Sequence, residues 1–592
     1  MNRRRRVRLG ATAAFLALLS SPAALAADIH IDPSRSSGCP GQGTLEAPYC
    51  GWREAGPLVG GNRYLQRRGT VSNDGVMVTA APGLSPEALA GPVFIGAYGE
   101  GAARPMIRVE NPLPGGQEAA SWRLVGPGIW AYATAGFKFP DPRVLFLDGR
   151  RAFGPAGDRA DLCTRRGGQQ VEWMHAAEGL LLCSPRGNPA EVFAHISGMQ
   201  ARSGDPWIPV YIEGRQHVVI DGLALEGGGW GSVQIRVGAA DVEIRNCEVG
   251  RDSIHGIYVS AGQAGMIRRI DIHHNRIDSG VRWGAVSYEP VGGTGEGVYF
   301  NQSVQDSRIH HNEIVAWTHN GIYLNAARPG DPGVTGNRVD HNDIHCGPLS
   351  SYFDYCRPFG IDGWRAGAAS GNLFFANRLH DFSVGSQVNG DHNAIAGNYC
   401  YNAVNSAVRR YPTGMCFRMQ AYVFSRENLI AFNTMANTAD AAIELLAGGN
   451  DKDIAVGHRI VGNIFYGCGR SAPPERRDVC IVVGATPEVG AQVIENNLLF
   501  NPGGRPVRIL YRGKRAVDAG TWQAAAGDQL SGNRVADPMF TDPQAGDFSL
   551  APDSPARGRV PVLAVPGLAG QPVALGAWQG GPAGEGSWQL VP

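Results

Sequence analysis

Asp362 has the clearest capacity for chemistry in this sequence, because it takes the place of a tyrosine in a recurring pattern. Three stretches read polar residue, Gly, aliphatic residue and Tyr, and they end at Tyr258, Tyr299 and Tyr323. The corresponding stretch Phe359–Asp362 ends in a carboxylate instead. Carboxylates act in proteins as general acids, general bases and nucleophiles. We therefore predict that Asp362 is a catalytic residue.

Other polar side chains of these stretches are expected to share one face with Asp362. The residues on either side of each central position are apolar, so the central side chain points outward. The first outward column reads Tyr258, Tyr299, Tyr323, Asp362, Gln387, Arg418 and Glu444, and the second reads Ser260, Asn301, Asn325, Trp364, Asn389 and Gln420. Strands in a sheet lie about 4.8 Å apart, which is close to the advance per ring of a polysaccharide.

This pair of columns predicts a polysaccharide-binding track. Aromatic rings stack on sugars, while amide and hydroxyl groups bond to sugar hydroxyls. The substrate-binding residues that we predict are Tyr258, Tyr299, Asn301, Asn325, Trp364, Gln387, Asn389, Arg410 and Gln420. A long open track of this kind is typical of proteins that bind a polymer within its chain.

A repeated asparagine identifies the elements that must position the columns. Between about residues 219 and 500, an apolar residue, two variable residues, Asn, one variable residue and another apolar residue recur. The asparagines are Asn275, Asn312, Asn342, Asn377, Asn398, Asn433, Asn463 and Asn497, and Cys247 takes this place in an earlier copy. A buried Asn at the same turn of every coil can bond to the coils above and below. The repeat therefore predicts a β-solenoid with an internal Asn ladder.

On these residues the chain resembles the right-handed parallel β-helix proteins of the pectate-lyase-like superfamily. The resemblance implies an all-β, single-stranded parallel β-helix and a secreted, carbohydrate-active protein. We expect a signal peptide over 1–26, entry coils over 27–114, an inserted β-rich segment over 115–200, the main helix over 201–500, and a final coil with a C-terminal cap over 501–592. The inserted segment resembles the small β-domain of several β-helix glycoside hydrolase families.

Hydrolysis of a glycosidic bond is the reaction that we favour, because the inserted segment resembles that of glycoside hydrolases. Hydrolysis requires two carboxyl groups, about 5 to 5.5 Å apart for retention or about 6.5 to 9.5 Å apart for inversion. Asp362 is the first candidate, and Glu296, Glu289 or Asp391 is its possible partner. Glu444 is three coils away and is expected to pair with Arg418.

Elimination from a uronate polymer such as alginate or pectin is the alternative reaction. It needs a cation that neutralises the uronate carboxylate and a base that removes the C5 proton. The candidate cations are Arg418, Arg410 and Arg409, and the candidate bases are Tyr323, His392 and Arg418. A third possibility is a β-helix that binds polysaccharide without cleaving it.

The N-terminus and the cysteines both predict export to the periplasm or the medium. Five arginines, the apolar stretch 11–19 and Ala24–Ala26 form a signal peptide with a cleavage site near Ala26. Ten of the eleven cysteines fall into close pairs: Cys39 with Cys50, Cys163 with Cys183, Cys346 with Cys356, Cys400 with Cys416, and Cys468 with Cys480. We predict five disulfides, which form in oxidising compartments, and a buried free thiol at Cys247.

The net charge of the chain and the positions of its histidines indicate which kinds of ligand we expect. Removal of five signal-peptide arginines changes 53 basic and 53 acidic residues to 48 and 53, so the mature chain carries about five negative charges. We expect a polysaccharide substrate, no nucleic acid, no membrane span and a monomer.

No outward acidic cluster resembles the calcium site of pectate lyases, so we predict no cofactor. We interpret His273–His274, His310–His311 and His341 as a stacked, solvent-facing row rather than a metal site.

Overall fold

The computed structural model describes residues 27–590 apart from a set of segments. These are 81–82, 87–88, 90, 133–143, 155–157, 167–168, 177–178, 200–207, 229, 251–254, 263–264, 279–294, 316, 318, 327–329, 331, 348–355, 407–412, 422–423, 448–453, 514–516, 525–526, 558–560, 571–573 and 578–588. The predicted signal peptide, Glu289, Arg409 and Arg410 therefore lie outside the described residues.

Three long sheets contain most of the strands. The front sheet consists of Val76–Thr79, Val210–Glu213, Gly231–Ile235, His255–Val259, Val298–Asn301, Asn320–Ala326, Arg357–Gly363, Ser386–Asn389, Phe417–Ala421, Ile443–Ala447, Val479–Val483, Arg508–Tyr511 and Val517–Asp518. The back sheet consists of Ala27–Ile31, Asn62–Arg67, Val93–Tyr98, Gln216–Asp221, Ala240–Arg245, Ile267–His273, Val304–Gln305, Arg308–His310, Val334–Thr335, Arg338–Asp340, Ala369–Ser370, Leu373–Phe375, Ala394–Ala396, Leu429–Ala431, Arg459–Val461, Val493–Glu495 and Gln529–Ser531. The side sheet consists of Val71–Ser72, Met106–Val109, Ala224–Gly227, Glu248–Val249, Arg276–Asp278, Glu313–Val315, Asp343–His345, Arg378–Phe382, Tyr399–Ala403, Thr434–Ala436, Ile464–Tyr466, Leu498–Phe500 and Arg534–Val535. A separate pair, Phe424–Arg426 and Ile454–Val456, completes two coils.

Each coil contributes a strand to the front, back and side sheets in turn, and equivalent strands of successive coils pair in parallel. Val517–Asp518 is different, since it pairs antiparallel with Arg508–Tyr511. Ile272 pairs with Ile309, and Ile309 with Val339. These inward side chains are completely buried, and burial of each contributes roughly 1.5–3 kcal/mol. The parallel β-helix that the repeat predicts is confirmed.

The predicted Asn ladder is also confirmed, and it continues to Asn533. Asn398 represents its rungs: its Oδ1 accepts from the backbone N–H and the Nδ2 of Asn377, both at 2.9 Å. Its Nδ2 donates to the carbonyl of Phe374 at 3.0 Å and to Oδ1 of Asn433 at 2.9 Å. Cys247 donates its N–H to Asn275 at 2.9 Å. Each rung therefore satisfies buried polar groups in the adjacent coils.

A second ladder, which the sequence analysis missed, runs along the preceding turn. Its members are Ser307, Asn337, Asn372, Asn393, Asn428, His458, Gln492 and Asp528. His458 takes the place of an amide side chain in this ladder. Its Nδ1 accepts a hydrogen bond from the backbone N–H of Asn428 at 3.3 Å. Burial lowers the pKa of His458 to about 3. Its ring therefore stays neutral and can serve as an acceptor at neutral pH.

The inserted segment forms its own antiparallel sheets without breaking the helix. Its strands are Asn111–Pro112, Trp122–Gly126, Ile129–Tyr132, Val144–Leu147, Arg150–Arg151, Arg165–Arg166, Gln169–Gln170, Trp173–Ala176, Gly179–Cys183 and Ile196–Met199, and its helix is Pro189–Val192. Trp122, Trp173 and Leu180 belong to its core. The strand Met106–Val109 before the insertion pairs directly with Ala224–Gly227 after it. The coils on either side therefore stack on each other.

The C-terminal tail packs along the flank of the helix. Its described strands are Phe540–Asp542, Asp547–Leu550, Leu568–Ala569 and Gln589–Leu590. Leu563 and Leu575 form an apolar cluster with Phe375 and Phe432. We expected a cap on the open end of the sheet. The described contacts instead cover the outer faces of the back and side sheets, where Phe548 packs against Tyr401 and Ala436 of the side sheet.

All five predicted disulfides are present: Cys39–Cys50, Cys163–Cys183, Cys346–Cys356, Cys400–Cys416 and Cys468–Cys480. Cys247 is free and buried, as predicted. Burial raises the pKa of its thiol to about 12, so the thiol is not a nucleophile at neutral pH. Within the described residues, no helix is long and apolar enough to cross a membrane.

Candidate active site on the front sheet

The outward columns lie on the front sheet largely as predicted. Tyr258 pairs in register with Tyr299, and Tyr299 with Tyr323. Further along the same column, Gln387 pairs with Arg418 and Arg418 with Glu444. The rings of Tyr299 and Tyr323 stack with centroids 5.1 Å apart. The alternation of inward and outward side chains therefore positions this column.

Asp362 lies in the second column, which corrects our alignment by two residues. Gly360 pairs with Tyr323 in the first column, whereas Asp362 pairs with Asn325 on one side and Asn389 on the other. Trp364 follows the end of the strand and is 57% exposed. A shift of two residues keeps every side chain on the same face, so the hydrophobic pattern could not distinguish the two alignments.

Each tyrosine of the first column reaches the second column of the next coil. Tyr258 accepts from Nδ2 of Asn301 at 2.8 Å, and Tyr299 accepts from Nδ2 of Asn325 at 2.8 Å. In the third pair, the hydroxyl of Tyr323 donates to Oδ2 of Asp362. Gly360 makes this possible, because a Cβ there would lie 3.0 Å from the Tyr323 ring.

These contacts bury most of the predicted track. Tyr258 is 5% and Tyr299 9% exposed, and Gln387, Asn389 and Asn325 are also buried. The long open track that we expected is therefore wrong for these residues. The more accessible of the described column residues are half-buried. They are Asn301, Tyr323, Asp362 and Arg418. The accessible part of the face is the middle of the sheet.

Asp362 is the centre of a hydrogen-bonded group. Its Oδ1 accepts from Nδ2 of Asn389 at 2.7 Å and from Nε2 of Gln387 at 3.4 Å, and its Oδ2 accepts from Tyr323. Burial and then the charge of Asp362 raise the pKa of Tyr323 well above its usual value. Tyr323 therefore keeps its proton and donates it in a hydrogen bond, which does not suit the role of base in elimination.

Glu296 does not lie beside Asp362 and is fully buried. It lies between two histidines, with its carboxylate oxygens 2.7 Å from Nδ1 of His255 and 2.6 Å from Nδ1 of His319. Burial raises the pKa of Glu296, but the charge and hydrogen bonds of these histidines outweigh it and hold the pKa at about 2. The ring of His255 contacts Tyr299, with centroids 5.0 Å apart. Glu296 therefore supports the tyrosine column from its edge.

Arg418 belongs to a balanced cluster of charges. Its Nε donates to Glu444 at 2.8 Å, which confirms the expected pair, and Arg476 donates to the other oxygen of Glu444 at 2.8 Å. Arg476 also forms two bonds with the buried Asp440, at 2.9 and 2.7 Å. Burial raises the pKa of Glu444, but Arg418 and Arg476 lower it below its ordinary value. Two cations thus face two carboxylates.

Asp391 and His392 lie on the back-sheet side of the helix and do not join Asp362 on the front face. Asp391 is buried, accepts from the N–H of Gly367 at 2.8 Å, and lies 3.5 Å from Arg426. His392 is exposed, 3.4 Å from Glu427. Gln420 lies on the strand Phe417–Ala421, but its side chain is outside the description. The predicted catalytic roles of Asp391 and His392 stay predictions, but neither residue lies beside Asp362.

Residues 209–357 match the family described as "Right handed beta helix region". The chain is a right-handed parallel β-helix.

Similar solved structures include the complex of XylC with xylose, at 12% identity over 87% of each chain with a TM-score of 0.44. Another is the GH136 lacto-N-biosidase from Eubacterium ramulus, at 11% identity over 85% of this chain and 68% of that chain, with a TM-score of 0.39. A third is an alginate lyase from Paenibacillus, at 12% identity over 51% and 90%, with a TM-score of 0.32. A comparison with curated protein sequences finds no match.

Proposed function

We propose that this β-helix protein is a glycoside hydrolase that binds a neutral saccharide across the middle of the front sheet and cleaves it at Asp362. The observation that carries the proposal is Asp362 itself, a half-buried carboxylate that three hydrogen bonds hold in the accessible middle of the front sheet. Carboxylates held in this way on an accessible face are the groups that cleave glycosidic bonds. Asn325 and Asn389, on the neighbouring strands, are buried, and Asn389 supports the carboxylate rather than the saccharide.

The accessible acceptor of this face favours sugar hydroxyls as the ligand groups. The carboxylate of Asp362 accepts hydrogen bonds from O–H groups and does not donate, so it matches hydroxyls rather than the carboxylate of a uronate. Asn325, Asp362 and Asn389 lie on three successive strands, about 4.8 Å apart. The exposed ring of Trp364, just beyond the strand that carries Asp362, offers a stacking surface.

Asp362 has the properties of a nucleophile or of a charge that stabilises an oxocarbenium-like transition state. Its three hydrogen bonds fix the position of the carboxylate. In the retaining reaction, an Oδ atom attacks the anomeric carbon, the glycosidic C–O bond breaks, and a general acid protonates the leaving oxygen. Neither neighbouring strand, Asn320–Ala326 or Ser386–Asn389, carries an acid. Glu289 therefore stays a predicted partner for this step.

Elimination is less well supported by the charges of the face. A uronate carboxylate placed at Asp362 would meet a like charge, which is unfavourable at short range. The cations closest along the column, Arg418 and Arg476, already face Glu444 and Asp440. The polar face is therefore better matched to an uncharged polymer.

Digestion of a panel of neutral and uronate polysaccharides tests this proposal. We expect new reducing ends from at least one neutral polysaccharide, without the ultraviolet absorbance of an unsaturated uronate, because hydrolysis adds water and forms no double bond. Unsaturated ends from a uronate polymer would show that the reaction is elimination and not hydrolysis. Retained binding with no cleavage of any polymer would show a binding protein instead.

A further inference from the structure

Three pairs of side chains form a second polar cluster at the turn between the back and side sheets. The pairs are His273–His274, His310–His311 and Asp340–His341, one on each of three successive coils. The second members stack almost in parallel: His274 on His311 with centroids 5.1 Å apart, and His311 on His341 at 4.9 Å. The predicted stacked row is confirmed, but the geometry within each pair goes beyond stacking.

Within the histidine pairs, two ring nitrogens face each other at close range. Nδ1 of His310 lies 2.8 Å from Nδ1 of His311, and the same atoms of His273 and His274 are also 2.8 Å apart. The paired rings are nearly perpendicular, at 84° and 85°. At this distance the two nitrogens share one hydrogen in an N–H···N hydrogen bond, so a metal ion bound between them would take the place of that hydrogen.

The other nitrogen of the first ring in each pair is held by a carboxylate. Nε2 of His310 lies 2.9 Å from Asp271, and Nε2 of His273 lies 3.0 Å from Glu243. A carboxylate at Nε2 keeps the hydrogen there and leaves Nδ1 as an unprotonated donor atom. This carboxylate–histidine arrangement is the usual support of a metal-ligating imidazole.

A third ligand is close to the His310–His311 pair. One ligand atom from each of His310, His311 and Asp340 lies within 4.8 Å of the others. Arg308 donates to both oxygens of Asp340, at 2.8 and 2.7 Å, and fixes the carboxylate.

We propose that His310, His311 and Asp340 bind a divalent transition-metal ion of the class that prefers imidazole, such as Zn²⁺. The two Nδ1 atoms need to separate from 2.8 Å to about 3.3 Å to bind Zn²⁺ tetrahedrally, which a small rotation of the exposed His311 ring supplies. A fourth position stays open to water on this exposed turn. The ion would link two coils of the helix at a place remote from Asp362.

Calorimetric titration of the untagged full-length protein with Zn²⁺ tests the site. We expect one ion to bind per chain, Mg²⁺ to give no signal because it prefers oxygen ligands, and His311→Asn to weaken Zn²⁺ binding by about 10- to 100-fold. Asn tolerates the left-handed backbone of His311, whose φ is 53°. His217→Asn is the matched control, since His217 is also exposed with a φ of 57°.

The outcomes separate this site from adventitious binding. Unchanged affinity in His311→Asn, or equal losses in His311→Asn and His217→Asn, would overturn the proposal. Thermal melting of each variant without metal shows whether it is folded. If His311→Asn is unfolded, Asp271→Asn provides the second variant, because loss of the Nε2 partner of His310 should weaken Zn²⁺ binding about 10-fold.

Discussion

Substitution of Asp362 by Asn is expected to lower the rate of saccharide cleavage by about 10³-fold, which corresponds to about 4 kcal/mol of transition-state stabilisation. The amide keeps the size of the side chain, its oxygen can still accept from Nδ2 of Asn389, and its NH2 group can donate to the hydroxyl oxygen of Tyr323, so the front sheet should keep its structure. It cannot act as a nucleophile or carry the negative charge that stabilises an oxocarbenium-like centre. Reducing-end assays on the best neutral polysaccharide of the panel measure the loss.

Asp306→Asn is the matched control for this substitution. Asp306 is an exposed carboxylate at a back-sheet turn with a φ of 50°, a conformation that Asn also accepts. Its cleavage rate should equal that of the wild type. Tyr323→Phe, which removes only the hydroxyl that bonds to Asp362, should lower the rate less, by roughly 10- to 100-fold. Wild-type cleavage by Asp362→Asn would remove Asp362 from the mechanism.

Substitution of Asn398 by Ala is expected to destabilise the protein by roughly 3–5 kcal/mol. The change removes the acceptor of the backbone N–H and of one Nδ2 hydrogen of Asn377, and it removes the side-chain donor to the carbonyl of Phe374. Oδ1 of Asn433 keeps the backbone N–H of residue 398 as a donor. All these groups lie in the interior, where each unpaired polar group costs about 1–3 kcal/mol. Denaturant unfolding with the disulfides intact, followed by circular dichroism, measures the change in the unfolding midpoint.

Asn533→Ala provides the comparison within the same ladder. Asn533 makes the same kind of bonds, to the carbonyl of Ile494 at 2.7 Å and to Asn497 at 2.9 and 3.1 Å, but it is half-buried at the last rung. Water can replace its bonds, so we expect a loss of about 1 kcal/mol. Equal losses at Asn398 and Asn533 would contradict the view that buried polar satisfaction holds the coils together.

The fold could be predicted because many successive copies of the repeat place a buried apolar residue and an Asn at the same turn. Asn312, Asn342 and Asn377 each stand three residues after an inward apolar residue, so the period and the ladder were visible in the sequence. The second ladder was missed because its members change identity between Ser, Asn, His, Gln and Asp. The turn geometry, rather than one residue type, maintains it.

The site was harder to predict, because its contacts cross between coils. The hydrophobic pattern placed Asp362 on the correct face but in the wrong column, since a two-residue shift preserves alternation. The diagonal bond from Tyr323 to Asp362 depends on that register. A usable signal was present: His255, Glu296 and Asn320 occupy the same place before each Gly, which marks the polar edge that supports the tyrosines.

The measurement that tests the central claim most directly is a crystal structure of Asp362→Asn with an oligosaccharide of the polymer that the wild type cleaves best. We predict a sugar ring on the accessible middle of the front sheet, within hydrogen-bonding distance of residue 362. An oligosaccharide bound on the back or side sheet, away from residue 362, would contradict the account.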